Sequence, residues 1–372
     1  MLLNKADFKL FESVVQAHDK FVIIPHYNPD PDAIGSSFAM KELLTKGFGK
    51  DAIIAYSGII GRAENSQMVE CLKIDMTNIT DLIRNEGIDN SHNTAIPEGA
   101  IILMDTQPGS GNNPLGTEDI PVIVIDHHPI REQTRSENVA YADVRTEEHK
   151  NGSSGTIICD YLEYFKVKIT PNLATALYYG IDTDVTGESR EGFDSDFHRR
   201  EQLRPILNKD KLSQIISPKL PFDYYTHITK GMENCMVYGD FLFSTLGEIN
   251  NPDYVSEIAD FLIRYEKAEM VLMIGIHNDS ILMSLRAPRR KYDAGEIIRE
   301  IVGNMGSAGG HQANAGGKLI FKDKSVIKKT VKKIIKNALI VIAKKEGRQQ
   351  LPDGIPFLSQ NDYMPIMEDH DT

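Results

Sequence analysis

His26, Asp30 and Asp32 fall within seven positions of one another in VIIPHYNPDPDAIGSS (22–37), directly after a run of β-branched apolar residues. Asp105 ends a second apolar run, AIILMD (100–105). Asp126 ends a third, PVIVID (121–126), and is followed at once by His127 and His128. Two carboxylates ~4 Å apart repel by about 4 kcal/mol at an effective dielectric near 20. Several such pairs exceed the ~5–15 kcal/mol that holds a whole domain together. No lysine or arginine lies inside any of these clusters. If the clusters converge, divalent cations are the direct compensation. Mixed carboxylate and imidazole ligands suit manganese, and also magnesium, iron or zinc. With this many ligands, two ions sharing a bridging carboxylate are expected rather than one. The first stretch alone has a structural alternative, with Asn28-Pro29-Asp30 as a turn and Asp32 capping a helix that begins near Ala33. The two further clusters favour metal.

The elements that must position these residues are also visible. FVIIP (21–25), AIIAY (52–56), AIILMD and PVIVID read as buried strands. Helix-like segments such as SSFAMKELLTKGFG, SSGTIICDYLEYFK and TPNLATALYYGI lie between or after them. Continuous apolar strands alternating with helices predict an α/β fold with a doubly wound, mostly parallel sheet. Ligands of such sheets bind outside the carboxyl ends of the strands, where HYNPDPD, DTQPGSGNN and DHHP lie.

A proline-spaced, unpatterned stretch over 209–232 reads as a linker. The second half then restarts with strand-like MVYGDFLFSTL, helical SEIADFLIRYEKAE, and the pair MVLMIGIHN and ILMSLRA, joined by a tight turn at Asn278-Asp279-Ser280. Helical AGEIIREIVGNM, a glycine-rich segment, the strand GGKLIF and a long helix follow. The expected organisation is a catalytic domain over 1–208, the linker, a smaller α/β domain over 233–346 and a loosely ordered tail over 347–372, with the active-site cleft between the domains. In the long helix, Ile327, Val331, Ile334, Ile335, Leu339 and Ile342 share one face and lysines occupy the other. It reads as a docked amphipathic helix with a solvated lysine face, although such a stripe also has the form of a nucleic-acid or membrane-facing surface.

At 372 residues the chain is long enough for two domains. No apolar run approaches the roughly 20 residues needed to cross a bilayer. The start, MLLNKADFKLFESVV, lacks the pattern of a signal peptide. Three scattered cysteines suggest neither a disulfide framework nor a cysteine zinc site. A soluble cytoplasmic protein is expected. The net charge of −12 argues against a stable long nucleic-acid partner, though not against a small phosphate ligand in a local pocket.

HYNPDPDAIGS, Asp105 in ILMDTQ, DHHP and GIDTD together resemble the DHH phosphoesterase superfamily, and the late GGHQANAGG resembles its DHHA1 carboxy-terminal domain. The motifs run in family order over roughly residues 20–320. The resemblance implies a two-manganese hydrolase of phosphodiesters or phosphoanhydrides. By that resemblance His26 and Asp30 would hold a first ion, Asp32 and His127 a second, and Asp105 would bridge. In the fourth motif the ligand lies four residues after the glycine of Gly-Ile-x-x-Asp, which selects Asp184 rather than Asp182. The family's usual threonine after that aspartate is Val185 here, so a hydroxyl role is not carried over. Asp126 would orient an adjacent imidazole. His128 would face substrate phosphate and stabilise charge or protonate the leaving oxygen.

In the second domain, clustered glycines let backbone amides approach an anion. Gly309, Gly310 and His311 are therefore candidate substrate-binding residues. Arg286 could reach the same phosphate, and Ser284 shares its strand face. Tyr27 is a candidate for base stacking or for the core, while Arg145, His149, Arg199 and Arg200 read as surface residues. The leading expectation is a manganese-dependent phosphodiesterase that cuts linear dinucleotides or nano-oligonucleotides to mononucleotides. Alternatives are a cyclic-dinucleotide phosphodiesterase, a nucleoside 3′,5′-bisphosphate phosphatase, a single-strand exonuclease of the RecJ kind and a non-catalytic nucleotide sensor. The resemblance is compatible with a homodimer.

Overall fold

The computed structural model describes residues 5–86, 96–116, 118–135, 139–146, 148, 151–185, 193–287, 292–310, 312–321 and 323–358. The chain divides into two units, Met1–Pro218 and Lys219–Thr372.

Six strands form the sheet of the first unit: β1 (Lys20–Pro25), β2 (Asp51–Tyr56), β3 (Met76–Asn78), β4 (Ala100–Met104), β5 (Ile123–Asp126) and β6 (Tyr141–Val144). Their order is β3-β2-β1-β4-β5-β6 and every pairing is parallel. Among the described residues eight α-helices accompany them: α1 (Lys5–Gln16), α2 (Pro31–Glu42), α3 (Ala63–Leu72), α4 (Ile79–Glu86), α5 (Ser154–Tyr164), α6 (Pro171–Val185), α7 (Asp194–Leu203) and α8 (Lys209–Ile216). The apolar runs are continuous because the strands are buried on both faces. Phe21 and Ile23 of β1 join a large core with α1, α2, α3, α5 and α6. Val22 and Ile24 join a smaller one with Leu103, Val124 and Ile79. From β1 the chain moves outward to β2 and β3, then returns to the other side of β1 as β4. This reversal leaves a crevice at the carboxyl ends of β1 and β4. There the sequence has placed His26 and Asp105.

The second unit holds α9 (Phe222–Glu233), β7 (Met236–Tyr238), β8 (Phe241–Glu248), α10 (Tyr254–Leu262), β9 (Met270–His277), β10 (Ser280–Arg286), α11 (Ala294–Val302), β11 (Ser307–Gly310), β12 (Asn314–Ile320), α12 (Ile327–Lys345) and β13 (Ile355–Pro356). The sheet order is β11-β12-β10-β9-β8-β7-β13, with only β8 and β9 parallel. The β9–β10 register pairs His277 with Ser280 across a two-residue turn, where Asn278 takes φ +53°. Alternation along β10 sends Ile281, Met283 and Leu285 into a core with α11 and α12. Leu282 faces the opposite core, built on α9 and α10.

Several expectations change. The stretch 209–232 is largely helical: α8 and α9 flank the division at Pro218, and the prolines between these two short helices made the stretch read as a linker. The early tail docks. Ile355 and Pro356 pair with β7, Leu351 is buried, and the Phe357 ring meets the Tyr265 edge at 5.2 Å. Its prolines and glycines read as loop, but two apolar anchors suffice to hold it. The glycine-rich segment is a hairpin of β11 and β12 rather than a loop. Arg145 is buried, bidentate to Asp143 and bonded to Asp160. Arg199 pairs with Asp160 and Glu163, and both arginines read as surface residues because these partners on α5 lie at a distance in the sequence. His149 lies outside the described residues.

Candidate metal centre

β1 ends at Pro25 and hands His26 to the crevice. The His26 Nδ1 atom lies 2.9 Å from the Tyr27 carbonyl, which turns Nε2 toward Asp30 Oδ1 at 3.6 Å and Asp105 Oδ2 at 3.5 Å. The helix after it begins at Pro31, two residues earlier than its sequence suggests. Asp30, not Asp32, is its N-cap, accepting from the amides of Asp32 and Ala33. A cap of this kind is worth ~1 kcal/mol, and it fixes the Asp30 carboxylate at the strand end.

Asp32 is fully buried and accepts two backbone bonds from the start of α5, from Ser154 N at 2.7 Å and Gly155 N at 2.9 Å. Gly155 is required by this approach, since a Cβ there would lie 2.8 Å from Asp32 Oδ1. Asp105 follows β4 with φ +59°, a left-handed conformation costing a non-glycine residue roughly 1–2 kcal/mol. Its carboxylate faces two ways. Oδ2 approaches His26, while Oδ1 lies 3.3 Å from His127 Nε2 and accepts the Ser154 hydroxyl at 2.9 Å. Asp184 stands on the last turn of α6, one turn after Gly180. A Cβ at Gly180 would sit 2.7 Å from Pro31 O and 2.9 Å from Asp32 Cα, so α6 and the first turn of α2 meet backbone to backbone. That contact sets Asp184 Oδ2 at 3.5 Å from His127 Nε2. Asp182 lies two residues off this face of the helix and pairs with Arg200.

Three groups of side chains thus offer ligand atoms within 4.8 Å of one another: His26, Asp30 and Asp105; Asp32, His127 and Asp184; and Asp105, His127 and His128. The protonation pattern shows how the site is balanced by itself. Burial alone would lower His127, but Asp105, Asp184 and Asp32 push it up to about 10. Burial likewise opposes the charge on His26, which Asp30 and Asp105 nevertheless hold well above its ordinary value. Burial, then the charges of Asp184 and Asp105, drive Asp32 well above the usual carboxylate range. Burial also works against ionised Asp105, yet the neighbouring His127 and His26 imidazoles hold it well below that range. Protons are doing what cations would do. The buried His127 Nε2 has no hydrogen-bond partner among the described residues, as expected of a nitrogen shaped for a metal. Oxygen-rich donors with two imidazoles fit divalent ions of the manganese class.

The remaining residues steady the ligands. Asp126 Oδ1 accepts from the His127 amide and holds His128 Nδ1, both at 2.9 Å. Buried Gln107 donates to Asp126 Oδ2 at 2.6 Å and to the carbonyls of His128 and Pro129, while its Oε1 accepts from Arg131 N and the Thr134 hydroxyl. Asp196 on α7 binds Gly152 N and the Thr156 hydroxyl, pinning the start of α5. Gln107, Ser154, Gly155 and Asp196 have no assigned role in the sequence reading. Serines before an apolar helix do signal a helix start; the partner of this one, 122 positions away, leaves no local trace.

In the second unit Ser284 Oγ is buried with no hydrogen-bond partner among the described residues. Ser284 pairs across to Gly316, and Gly316 to Gly309, forming one row over three strands. The Arg286 guanidinium, expected free for phosphate, is engaged by Asp260 of α10. Gly310 packs against Ala315, and His311 lies outside the described residues.

Comparison with known proteins agrees with this architecture. The DHH family N-terminal domain matches residues 20–181, and the DHHA1 domain matches residues 239–337. The chain belongs to the DHH family. Its DHHA1 domain coincides with the second sheet. The uncharacterized protein MJ1633 of Methanocaldococcus jannaschii is 33% identical over 346 residues, covering 91% of this chain and 67% of that protein. The probable bifunctional oligoribonuclease and PAP phosphatase NrnA of Streptococcus mutans is 25% identical over 183 residues. That match spans 48% of this chain and about half (49%) of the relative. An exopolyphosphatase-related protein from Bacteroides fragilis shares the fold, with a TM-score of 0.65 at 14% identity over 92% of this chain and 99% of that one. DHH membership makes the chain a phosphoesterase-type hydrolase with a metal requirement. Among the described residues no helix is long and apolar enough to cross a membrane.

Proposed function

We propose that this chain is a two-metal phosphodiesterase, with manganese the preferred ion, that hydrolyses short nucleotides such as linear dinucleotides to mononucleotides. The observation that carries the reading is Asp105, whose two oxygens face different imidazoles, His26 and His127, in two separate ligand groups. His26, Asp30 and Asp105 would hold one ion; Asp32, His127, Asp184 and Asp105 the other. Divalent ions at such positions supply Lewis acidity to a phosphoryl oxygen and acidify water. The protein's own groups do the rest. Asp126 fixes the ring of His128 through Nδ1, leaving Nε2 to donate a hydrogen bond to phosphate or a proton to the departing ribose oxygen. The α5 amides hold the Asp32 carboxyl group in orientation before substrate arrives. In the DHHA1 unit, the Ser284–Gly316–Gly309 row would contact a nucleotide, as would Arg286 on leaving Asp260, and the Ser284 hydroxyl, unpartnered among the described residues, supports this. The name of the streptococcal relative favours a second activity on nucleoside 3′,5′-bisphosphates.

The test is a product time course with purified protein and manganese. Its substrates are a linear dinucleotide, the matching cyclic dinucleotide, a nucleoside 3′,5′-bisphosphate and a longer single strand. Conversion of the linear dinucleotide ahead of the others is expected. Opening of the cyclic form instead would reassign the substrate, and no turnover with metal bound would make the chain a nucleotide sensor.

A further inference from the structure

The helix α12 carries Lys328, Lys329, Lys332, Lys333, Lys336, Lys344 and Lys345 and no acidic residue. Lys345 bonds Glu296 and Glu300. The other six are exposed, and among the described residues none of them is paired with a carboxylate. The opposite face is spent on the core, with Ile327, Ile334, Ala338, Ile342 and Ala343 buried.

This arrangement works against the helix. Lys328 and Lys329 sit in the first turn, where the positive end of the helix dipole disfavours cations. Lys328 and Lys332, Lys329 and Lys333, and Lys332 and Lys336 are like charges four residues apart, which repel along the helix surface. A face that needed only solvation would interleave glutamate at these spacings and gain stability. The chain as a whole has a net charge of −12, so the stripe is a local reversal of its field rather than a sample of it.

We infer that this face binds the phosphate backbone of a single-stranded nucleic acid longer than the substrate. The helix presents one or two ammonium groups per 5.4 Å turn, on flexible stems able to follow an irregular strand of phosphates. It offers no arginine, so the contact reads charge and not sequence. An anionic membrane is disfavoured, because an interfacial helix inserts its apolar face and that of α12, the exposed Ile340 apart, is already packed on the core. The site is distinct from the Ser284 row. The helix covers the sheet face bearing Ile281, Met283 and Leu285, whereas Leu282, two residues before Ser284 on the same strand, faces the other core. The overall acidity therefore excludes nonspecific coating by nucleic acid, not this local contact, and the inference does not depend on the hydrolase reading.

The test is fluorescence anisotropy of the full chain with a labelled, non-hydrolysable 2′-O-methyl phosphorothioate strand of about 20 nucleotides. If about four phosphates are neutralised, affinity falls roughly 50-fold between 50 and 200 mM salt, from a slope of about −0.7 per phosphate. The triple variant K332Q/K333Q/K336Q should lower the slope by about 2 and bind at least about tenfold more weakly at 50 mM salt. Dinucleotide hydrolysis by that variant should match the wild type. Absence of wild-type binding at low salt, or an unchanged slope in the variant, overturns the inference. Adhesion to phosphatidylserine vesicles without binding to the strand overturns it in favour of a membrane surface.

Discussion

Ser154 gives its hydroxyl to Asp105 Oδ1 at 2.9 Å and its amide to Asp32 Oδ2 at 2.7 Å, so one residue at a helix start holds two metal-site carboxylates. Ser154→Ala removes the first bond and keeps the second. Loss of a group that orients a ligand typically costs about 10–100-fold in metal affinity or activity. A manganese titration should show weakening of at least about tenfold, with secondary structure unchanged. Wild-type affinity in that variant would detach Ser154 from the metal site.

Gly180 and Gly309 make a contrasting pair. A methyl group at 180 meets the Pro31 carbonyl and the Asp32 backbone, whereas one at 309 meets nothing within 4 Å. Gly180→Ala should destabilise the fold by ~1–3 kcal/mol through overpacking, and it should pull Asp184 from its cluster. Gly309→Ala should stay within about 0.5 kcal/mol of wild type. Denaturant unfolding of both variants, with manganese binding to the first, checks the pair.

The two carboxylates of GIDTD separate by partner. Asp184→Asn should abolish turnover and weaken metal loading, because Asp184 faces His127. Asp182→Asn weakens its partly exposed pair with Arg200 and should be milder, since such pairs contribute about 0–1 kcal/mol. The reverse order would mean that Asp182 is the ligand.

His127, raised from 6.5 to about 10, is protonated at neutral pH without metal. A raised imidazole pKa contributes stability that is complete below pH 6.5 and is lost as pH climbs through about 10. A metal ligand must be the neutral ring, so loading near pH 7 expels the proton and affinity rises with pH. Calorimetric manganese titrations in buffers of different ionisation enthalpy should report net proton release. Heats that do not change with buffer would show His127 already neutral.

Gln107→Leu leaves Asp126 Oδ2 without its 2.6 Å donor and frees the His128–Pro129 backbone. Turnover should drop on the order of tenfold with manganese affinity changed less, since Asp126 holds His128 Nδ1 and lies outside the ligand groups. Equal losses in both measurements would point to general disorder of the DHH turn instead.

The clusters His26-Asp30-Asp32, Asp105 and Asp126-His127-His128 were legible because each ends a buried strand, and a parallel sheet gathers such ends on one edge. The sequence carries that information locally. Contacts that join distant segments were not legible. Nothing near Asp32 announces Ser154 and Gly155, and nothing near Arg145 announces Asp160. The αL backbone of Asp105 is equally silent, for aspartate tolerates that conformation without a glycine to mark it. The α8 and α9 segments were missed because each is short and the prolines between them, Pro218 and Pro221, interrupt the stretch. In the lysine helix the pattern was plain, and its cost to the helix tipped the reading from a solvated face to a used one.

Because the ligands run from His26 to Asp184, the complete set exists only when β1, β4, β5, α2 and α6 are assembled. An unfolded chain offers ions no comparable grip. Manganese at about 100 times its dissociation constant would then add about 2.7 kcal/mol per site to the folded first unit. The second unit has its own cores and contributes none of these ligands. Heating the chain with and without the ion would thus separate two melting events, one that climbs with metal and one that stays in place.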